Sequence, residues 1–419
     1  MVRKLRDVTL YVLLFVLAVH PHRSFAEGEA GPPELQAEAG ILMEAQSGQV
    51  LYSRNPDRPM YPASITKILT GIIAVESGRL NEVVTVSKNA VHAGGTRVYL
   101  EEGEQKPLID LVYGMLINSG NDAAVAVAEH LGGSVEKFSA MMNEKARELG
   151  ATNSHFVNPS GMPDEDHVTT ARDMALISRY AMQNATFREI VGTKEYPWEG
   201  ESWQPGHIVN HNRLLWEYDG ATGVKNGYTE DAQQTFVATS ERNGQQLIAV
   251  LLKVPGSADN MYRDLTALMD YGHETFATHR LTVDEDSLAG LTVEGQEVTG
   301  QFKEDNSYIT LPKGASVETV EQDFVLRRVT LPIEKGEEIG GVQLTFDNEV
   351  LKSIPVIAAN SVANVSARSE EETELAGFPW MLWFISLLVV FWCLLYFRRQ
   401  WKQRRRVRAR FRDYRSYRG

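Results

Sequence analysis

The sequence predicts an exported α+β domain, a small all-β domain behind it, and one C-terminal transmembrane helix. Three observations carry this. Helical periodicity fills the middle of the first 280 residues and strand-like runs bracket it. After Leu281 the chain changes to short alternating segments punctuated by Gly, Pro and Asp. Residues 378–397 are a run without a single charge, long enough to cross a bilayer.

Residues 1–26 read as a secretory signal. Arg3, Lys4 and Arg6 form a basic start, Val8–Val19 is apolar, and Ser24-Phe25-Ala26 offers small residues at the cleavage position. The apolar run is short for a spanning helix, which disfavours an uncleaved anchor. The first exported domain is expected over 35–281. It opens with a hairpin, Gly40–Ala45 and Val50–Asn55 around Gln46-Ser47-Gly48. Ile65, Ile68, Leu69, Ile72 and Ile73 then form one helical stripe, and further helices are expected over Leu108–Leu116, Asn121–Leu131, Val135–Leu149 and Thr170–Met182. Thr235–Thr239 and Gln246–Leu252 flank the turn Arg242-Asn243-Gly244 as a second hairpin. Asn260–Thr278 returns to helix, and strands from both ends are expected to share one sheet.

Residues 282–360 read as the small β domain, with Tyr308–Leu311 and Gly341–Phe346 among its strands, and the acidic stretch 361–377 as a linker. Pro379 suits the first turn of the spanning helix, and Trp380 and Trp401 suit its interfaces. Eleven Lys/Arg against one acid follow in the tail 398–419, which places the tail in the cytoplasm and everything before the helix outside. Nucleic-acid binding by the tail is the weaker reading, because a basic run beside a spanning helix already has a membrane reason. The chain carries −13 overall; the tail contributes +10 and residues 1–26 contribute +3, which leaves about −26 on residues 27–377. An exported domain so acidic does not suit a polyanionic partner. The only cysteine, Cys393, lies in the spanning helix, so the exported part has neither disulfides nor thiol chemistry.

Three short motifs carry the chemistry. In Ser64-Ile-Thr-Lys67 a hydroxyl nucleophile and an amine base lie three residues apart, on one helix face. Such a pair can form an acyl-enzyme without a histidine. The face continues through Gly71, Ala74 and Gly78, small residues that would let a neighbour pack close and bury Lys67. Burial lowers an amine pKa and makes a neutral base accessible. Ser119-Gly120-Asn121 opens another helix; Ser119 could relay a proton and the Asn121 amide could hold a substrate carbonyl. Lys225-Asn226-Gly227 starts the late strands, with a cation for a carboxylate and a glycine for close backbone approach, although Asn-Gly is also a turn signal. No motif is selective alone. Ser134-Val-Glu-Lys137 repeats the first spacing but reads as a helix cap, and Ser53-Arg-Asn55 and Ser87-Lys-Asn89 repeat the second. No His-Glu-x-x-His occurs, and neither a metal nor another cofactor is expected.

With their flanks, these motifs resemble the penicillin-binding D-alanyl-D-alanine carboxypeptidases, the low-molecular-mass serine-type peptidases. Pro62–Lys67 and Ser119–Ala124 are similar to the first two family motifs. Met142–Ala146, Phe156-Val157-Asn158-Pro159-Ser160-Gly161 and Asn210–Leu215 resemble further family segments, and the β region resembles the second domain. The resemblance implies a penicillin-recognising serine transferase fold, an antiparallel sheet with helices, in a bacterial membrane-anchored enzyme with its catalytic domain outside the cytoplasm. It implies a substrate, the peptidoglycan stem peptide ending in D-Ala-D-Ala, and β-lactams as inhibitors. By the same resemblance Ser64 is the nucleophile, Lys67 the base and Ser119 a proton relay. Asn121 orients the peptide and Lys225 binds its carboxylate beside Gly227. The backbone N–H groups of Ser64 and Tyr228 form the oxyanion hole. Asn226 stands where the family most often has a Thr or Ser hydroxyl, which implies weakened or altered carboxylate recognition. It also motivates the alternative of a non-catalytic or weakly active wall-binding protein. A β-lactamase of the kind that deacylates through a Glu-x-x-Leu-Asn loop is disfavoured, because no such string occurs.

Overall fold

Strands from the two ends of the first 280 residues meet in one sheet. The computed structural model describes residues 31–200, 206–282, 288, 290–303, 308–327, 329–363 and 379–413. The expected signal segment and most of the linker lie outside these. The sheet contains β1 (Ala39–Glu44), β2 (Val50–Arg54), β7 (Ala221–Thr229), β8 (Gln233–Arg242) and β9 (Gln245–Val254), in the order β2-β1-β9-β8-β7 with every neighbour antiparallel. All six residues of β1 are buried, because both faces of the sheet are covered. The period of two sorts the side chains. Ile41, Met43, Ile248, Val250, Leu252 and Val237 enter one core, and Leu42, Leu247, Ala249, Leu251, Phe236 and Ala238 enter the other.

The first core is filled by α1 (Lys67–Glu76), α3 (Leu108–Leu116), α4 (Asn121–Gly132), α5 (Val135–Glu148), α6 (Ala171–Ala181) and α7 (Ala185–Gly192). The second is closed by α9 (Ala258–Thr275) through Met261, Leu265, Leu268 and Met269. Helix α1 lies at the centre of the first core: every residue from Lys67 to Val75 is buried. An apolar helix buried all round is the environment in which a lysine loses its water. Short elements trim the edges: α2 (Lys88–Val91), α8 (Leu214–Glu217), and the ribbons β3 (Val83–Thr85) with β4 (Gln105–Pro107) and β5 (Glu195–Pro197) with β6 (His207–Val209).

The chain divides into two units. Tyr308–Leu311, expected in the β domain, lies in β14 (Tyr308–Pro312). That strand belongs to the first unit and pairs with β10 (Phe276–Arg280). It is fastened there by Gln49, which accepts from Thr310 N–H at 2.6 Å and donates to Thr310 C=O at 3.1 Å, and by a 2.8 Å hydroxyl pair between Ser47 and Thr310. The second unit contains the hairpin β11 (Leu291–Val293) and β12 (Gln296–Val298). Beside it a four-stranded sheet runs in the order β13 (Gly300–Phe302), β17 (Glu349–Ala358), β16 (Glu338–Phe346), β15 (Glu321–Leu326). Its buried residues include Val298, Ile339, Val342, Leu344, Ile354 and Val356. The last helix, α10 (Pro379–Asp413), is 35 residues long, and within it Leu382–Lys402 is long and apolar enough to cross a membrane.

Candidate active site

Ser64 lies in a 3-10 turn, Ala63–Thr66, that leads directly into α1, and Lys67 is the first residue of the α-helix. The turn forces Ala63 to φ 51°, a left-handed conformation that costs a residue with a Cβ on the order of 1 kcal/mol or more. Lys67 is 0% exposed, and its Nζ lies 2.9 Å from Ser64 Oγ and 2.7 Å from the Ser160 carbonyl oxygen. A carbonyl only accepts, so one amine N–H must point at Ser160, which leaves the rest of the amine to address Ser64. Burial, first, and the nearby Lys225 charge, second, hold the Lys67 pKa well below the usual lysine value; Asp122 opposes them. Such a shift favours the neutral amine, the form that can act as a base. Packing follows the small-residue face in part. Gly71 faces Leu116, whose Cδ1 would lie 2.9 Å from an added Cβ. Gly78 does not belong to that face: it lies past the helix end at φ 69° with open space around it, where a glycine ends the helix rather than admits a neighbour.

The second motif occupies the turn between α3 and α4. Ser119 is buried at φ 64°. Among the described residues its hydroxyl takes no protein partner. Asp122 fixes the turn by accepting from the N–H groups of Val98, Leu100 and Ala123 at 2.9–3.1 Å. Asn121 differs from expectation in detail. Its Nδ2 already donates to the Gly94 carbonyl at 2.6 Å and to Met162 Sδ at 3.3 Å, whereas its buried Oδ1 has no partner. The free group it presents is an acceptor.

The third motif lies in mid-strand on β7, the edge of the sheet, and not in an Asn-Gly turn. Gly227 is required there: a Cβ would lie 2.5 Å from Ser64 N and 2.8 Å from Thr235 Oγ1. Thr235 holds the approach by donating to Pro62 C=O at 2.8 Å, with Gly227 C=O at 3.3 Å. Lys225 is 2% exposed, its Nζ donates to Asn226 C=O at 2.9 Å, and burial lowers its pKa to about 7. Asn226 turns aside. Its Nδ2 donates at 3.2 Å to the His211 carbonyl, which also accepts from Tyr262 Oη at 3.1 Å. One of the two N–H groups of the amide that would replace the family hydroxyl is thus engaged by the scaffold. The His211 N–H donates to Ile117 C=O at 3.0 Å, so His211 ties the second motif's turn to the third motif's strand. Tyr228 is 59% exposed at the open end of the strand.

The structure therefore brings Ser64, Lys67 and Gly227 into direct apposition, couples Lys225 to Lys67 through its charge, and ties one Asn226 N–H to His211. Sequence reasoning gave no role to the segment Asn158–Gly161, which closes the floor of the site. Asn158 Oδ1 accepts from the N–H groups of Ser160, Gly161 and Met162 at 2.8–3.2 Å, Thr70 Oγ1 donates to Pro159 C=O at 2.7 Å, and Ser160 supplies the carbonyl for Lys67. Gly161, at φ 82°, lies where a Cβ would overlap the Ala63 carbonyl. The signals available were Asn-Pro-Ser-Gly, which reads as a turn, and the resemblance of Phe156–Gly161 to a family segment, neither of which assigns a role to the Ser160 carbonyl.

A serine hydroxyl addressed by a buried amine, beside an open strand edge, is the arrangement of a serine acyl-transfer enzyme with a lysine base. Residues 26–256 match the family described as D-alanyl-D-alanine carboxypeptidase, and residues 276–364 match the C-terminal domain of penicillin-binding protein 5. The D-alanyl-D-alanine carboxypeptidase DacF of Bacillus subtilis is 32% identical over 84% of this chain and 92% of its own length. DacC of Escherichia coli is 29% identical over 83% and 90%. The crystal structure of penicillin binding protein 5 from Haemophilus influenzae is similar at a TM-score of 0.66, with 28% identity, 80% of this chain and all of that one covered. The chain belongs to the D-alanyl-D-alanine carboxypeptidase family, and is a serine peptidase with the penicillin-binding fold.

Proposed function

We propose that the protein removes the terminal D-alanine from peptidoglycan stem peptides ending in D-Ala-D-Ala, through an acyl-enzyme on Ser64. The observation that carries this is the buried Lys67 amine held 2.9 Å from Ser64 Oγ. In this reading Lys67 takes the Ser64 proton as Oγ attacks the carbonyl carbon between the two D-alanines. The oxyanion is met by the backbone N–H groups of Ser64 and Tyr228. The C–N bond breaks, the leaving amine receives a proton relayed through Ser119, and water then hydrolyses the ester. The peptide lies along the free edge of β7 as an added strand, with Asn121 and Gly227 beside it and its carboxylate facing Lys225. Asn226 gives one of its two Nδ2 N–H groups to His211 and has only the other for that carboxylate. A penicillin acylates Ser64 by ring opening, with no fragment to leave the site. The non-catalytic reading that Asn226 raised is not favoured, since the carboxypeptidases match over most of the chain.

The same reading places a removed signal over 1–26, the catalytic domain over 35–281 with β14 added, the β domain over 282–360 less that strand, and a linker over 361–377. The spanning helix 378–397 would anchor the protein with its catalytic domain outside the cytoplasm and the basic tail 398–419 inside; the apolar span Leu382–Lys402 supports this. Intact-mass measurement after penicillin treatment, with the modified peptide mapped, tests the chemistry alongside D-alanine release from a pentapeptide. The expected result is one adduct on Ser64 and release abolished in Ser64→Ala. Release that survives Ser64→Ala, or a wild type that neither releases D-alanine nor takes an adduct, would overturn it.

A further inference from the structure

His167 is fully buried directly behind the 3-10 turn and takes no part in the chemistry described above. Its ring bridges two segments. Nδ1 lies 3.2 Å from the Val157 backbone N–H, and Nε2 lies 2.9 Å from Thr66 Oγ1. A backbone N–H can only donate, so Nδ1 must be the bare nitrogen and the proton must sit on Nε2, donated to Thr66. The imidazole is therefore held neutral in one tautomer. Phe156 meets the ring edge-on at 5.6 Å between centroids.

The two bridged segments hold the two halves of the base's environment. Thr66 is the residue before Lys67. Val157 leads into Asn158–Gly161, whose Ser160 carbonyl takes one N–H of Lys67. The segment is closed at its far end by the mutual backbone bonds of His155 and Val168, and Thr169 is paired in the same way with Met60. The loop is thus fixed at its base, and within it the His167 ring is the side chain that joins Val157 to Thr66. We propose that His167 is a positioning residue for catalysis: by bridging Val157 N–H and Thr66 Oγ1 it sets the Ser160 carbonyl against Lys67, and so fixes the direction in which the amine addresses Ser64. This rests on Ser64 and Lys67 acting as the nucleophile and base. Burial lowers the His167 pKa to about 4, with the Asp164 charge opposing and His155 and Lys67 assisting, so the ring stays neutral across the working range.

The test uses the membrane-anchored protein and the rate of penicillin acylation at Ser64 as a function of pH. Thr66→Val removes the acceptor at nearly constant volume, and His167→Phe removes both bonds while keeping the aromatic contact. Each is expected to slow acylation about tenfold or more, because a small misplacement of a reacting group is costly. Each should also move the acid limb of the profile to higher pH, as Lys67 gains water and its charged form is better solvated. The double variant should be no slower than the slower single, since both break one bridge. Single variants with wild-type rates and acid limbs, altered only in melting temperature, would reduce His167 to a structural role and overturn the inference. Additive losses in the double variant would overturn it as well. If His167→Phe does not fold, Thr66→Val alone decides. A wild type that is not acylated overturns the functional reading itself, which separates the two failures.

Discussion

The two walls of the site are held by different means. On the helix wall, Lys67 is fully buried and its amine has partners on two sides, one a side chain and one a loop carbonyl that is itself fixed by Asn158. On the strand wall, the decisive feature is an absence of side chain at Gly227, and selectivity falls to groups ranging from buried Lys225 to exposed Tyr228. A buried, fully bonded network resists displacement because each broken bond leaves an unsatisfied group costing about 1–3 kcal/mol. An edge strand carries no such penalty. In the proposed mechanism reaction geometry is therefore kept on the helix wall, and recognition falls to the strand wall that carries Asn226.

Five changes would break or sharpen this contrast. The largest effect is expected for Lys67→Ala, which should slow penicillin acylation at Ser64 by on the order of 10³–10⁴-fold, as loss of a general base does. Stopped-flow or quenched mass spectrometry checks it, and a loss under tenfold would place the base elsewhere. Gly227→Ala comes next. A Cβ 2.5 Å from Ser64 N forces the strand or the turn to move, and acylation should fall on the order of 10²-fold. Gly71→Ala is the internal comparison, because its nearest neighbour is the end of the Leu116 side chain, which can give way; it should cost less than Gly227→Ala in acylation rate.

Lys225 gives a pH signature. Its pKa is about 7 in the fold, against roughly 10.4 in an unfolded chain. Between these values the unfolded chain binds one more proton than the native protein, so stability rises with pH, by up to about 1.4 kcal/mol per unit, and is lost as pH falls toward 7. Denaturant unfolding at pH 7, 8 and 9 should show this slope, and Lys225→Met should reduce it by about one proton's worth, leaving what Lys67 contributes; an unchanged slope would mean that Lys225 is solvated. By the same linkage, an anionic substrate that re-protonates Lys225 takes up a proton on binding. The smallest effect belongs to Asn226→Thr, which frees the strand wall of the bond to His211 and offers a hydroxyl to the carboxylate. KM for a D-Ala-D-Ala peptide should fall by up to about tenfold, corresponding to one hydrogen bond, with kcat little changed. A higher KM would show that the link between Asn226 and His211 matters more than the missing hydroxyl.

What could be read from sequence was whatever a side-chain pattern encodes. The apolar runs of β1 and β9 were legible as strands, α3 was expected at the limits it has, and Ser134 caps its helix by accepting from Lys137 N–H at 3.3 Å, which removes the decoy motif. The apposition of Ser64 and Lys67 followed from helical spacing, although the start of the helix is a 3-10 turn. What escaped was backbone chemistry and long-range pairing. The Ser160 carbonyl carries no residue signature, since any amino acid has one. The direction of the Asn121 amide depends on Gly94, 27 positions away. The alternation in Tyr308–Leu311 identifies a strand but not the strand it pairs with, because cross-strand partners are set in three dimensions.

The return of β14 has a practical side. The first unit is discontinuous in sequence, running to Thr282 and resuming at 307–320. A protein shortened after Leu281, where the composition changes, would leave β10 as a bare edge and strip Ser47 and Gln49 of the hydrogen bonds they make to Thr310. Buried polar groups without partners and an unpaired strand edge are the two conditions that turn a folded domain toward self-association. Shortened after Val320 instead, the chain keeps β14 and its bonds to Gln49 and Ser47 but leaves β13 without its partner β17, so a cut at either point opens a strand edge.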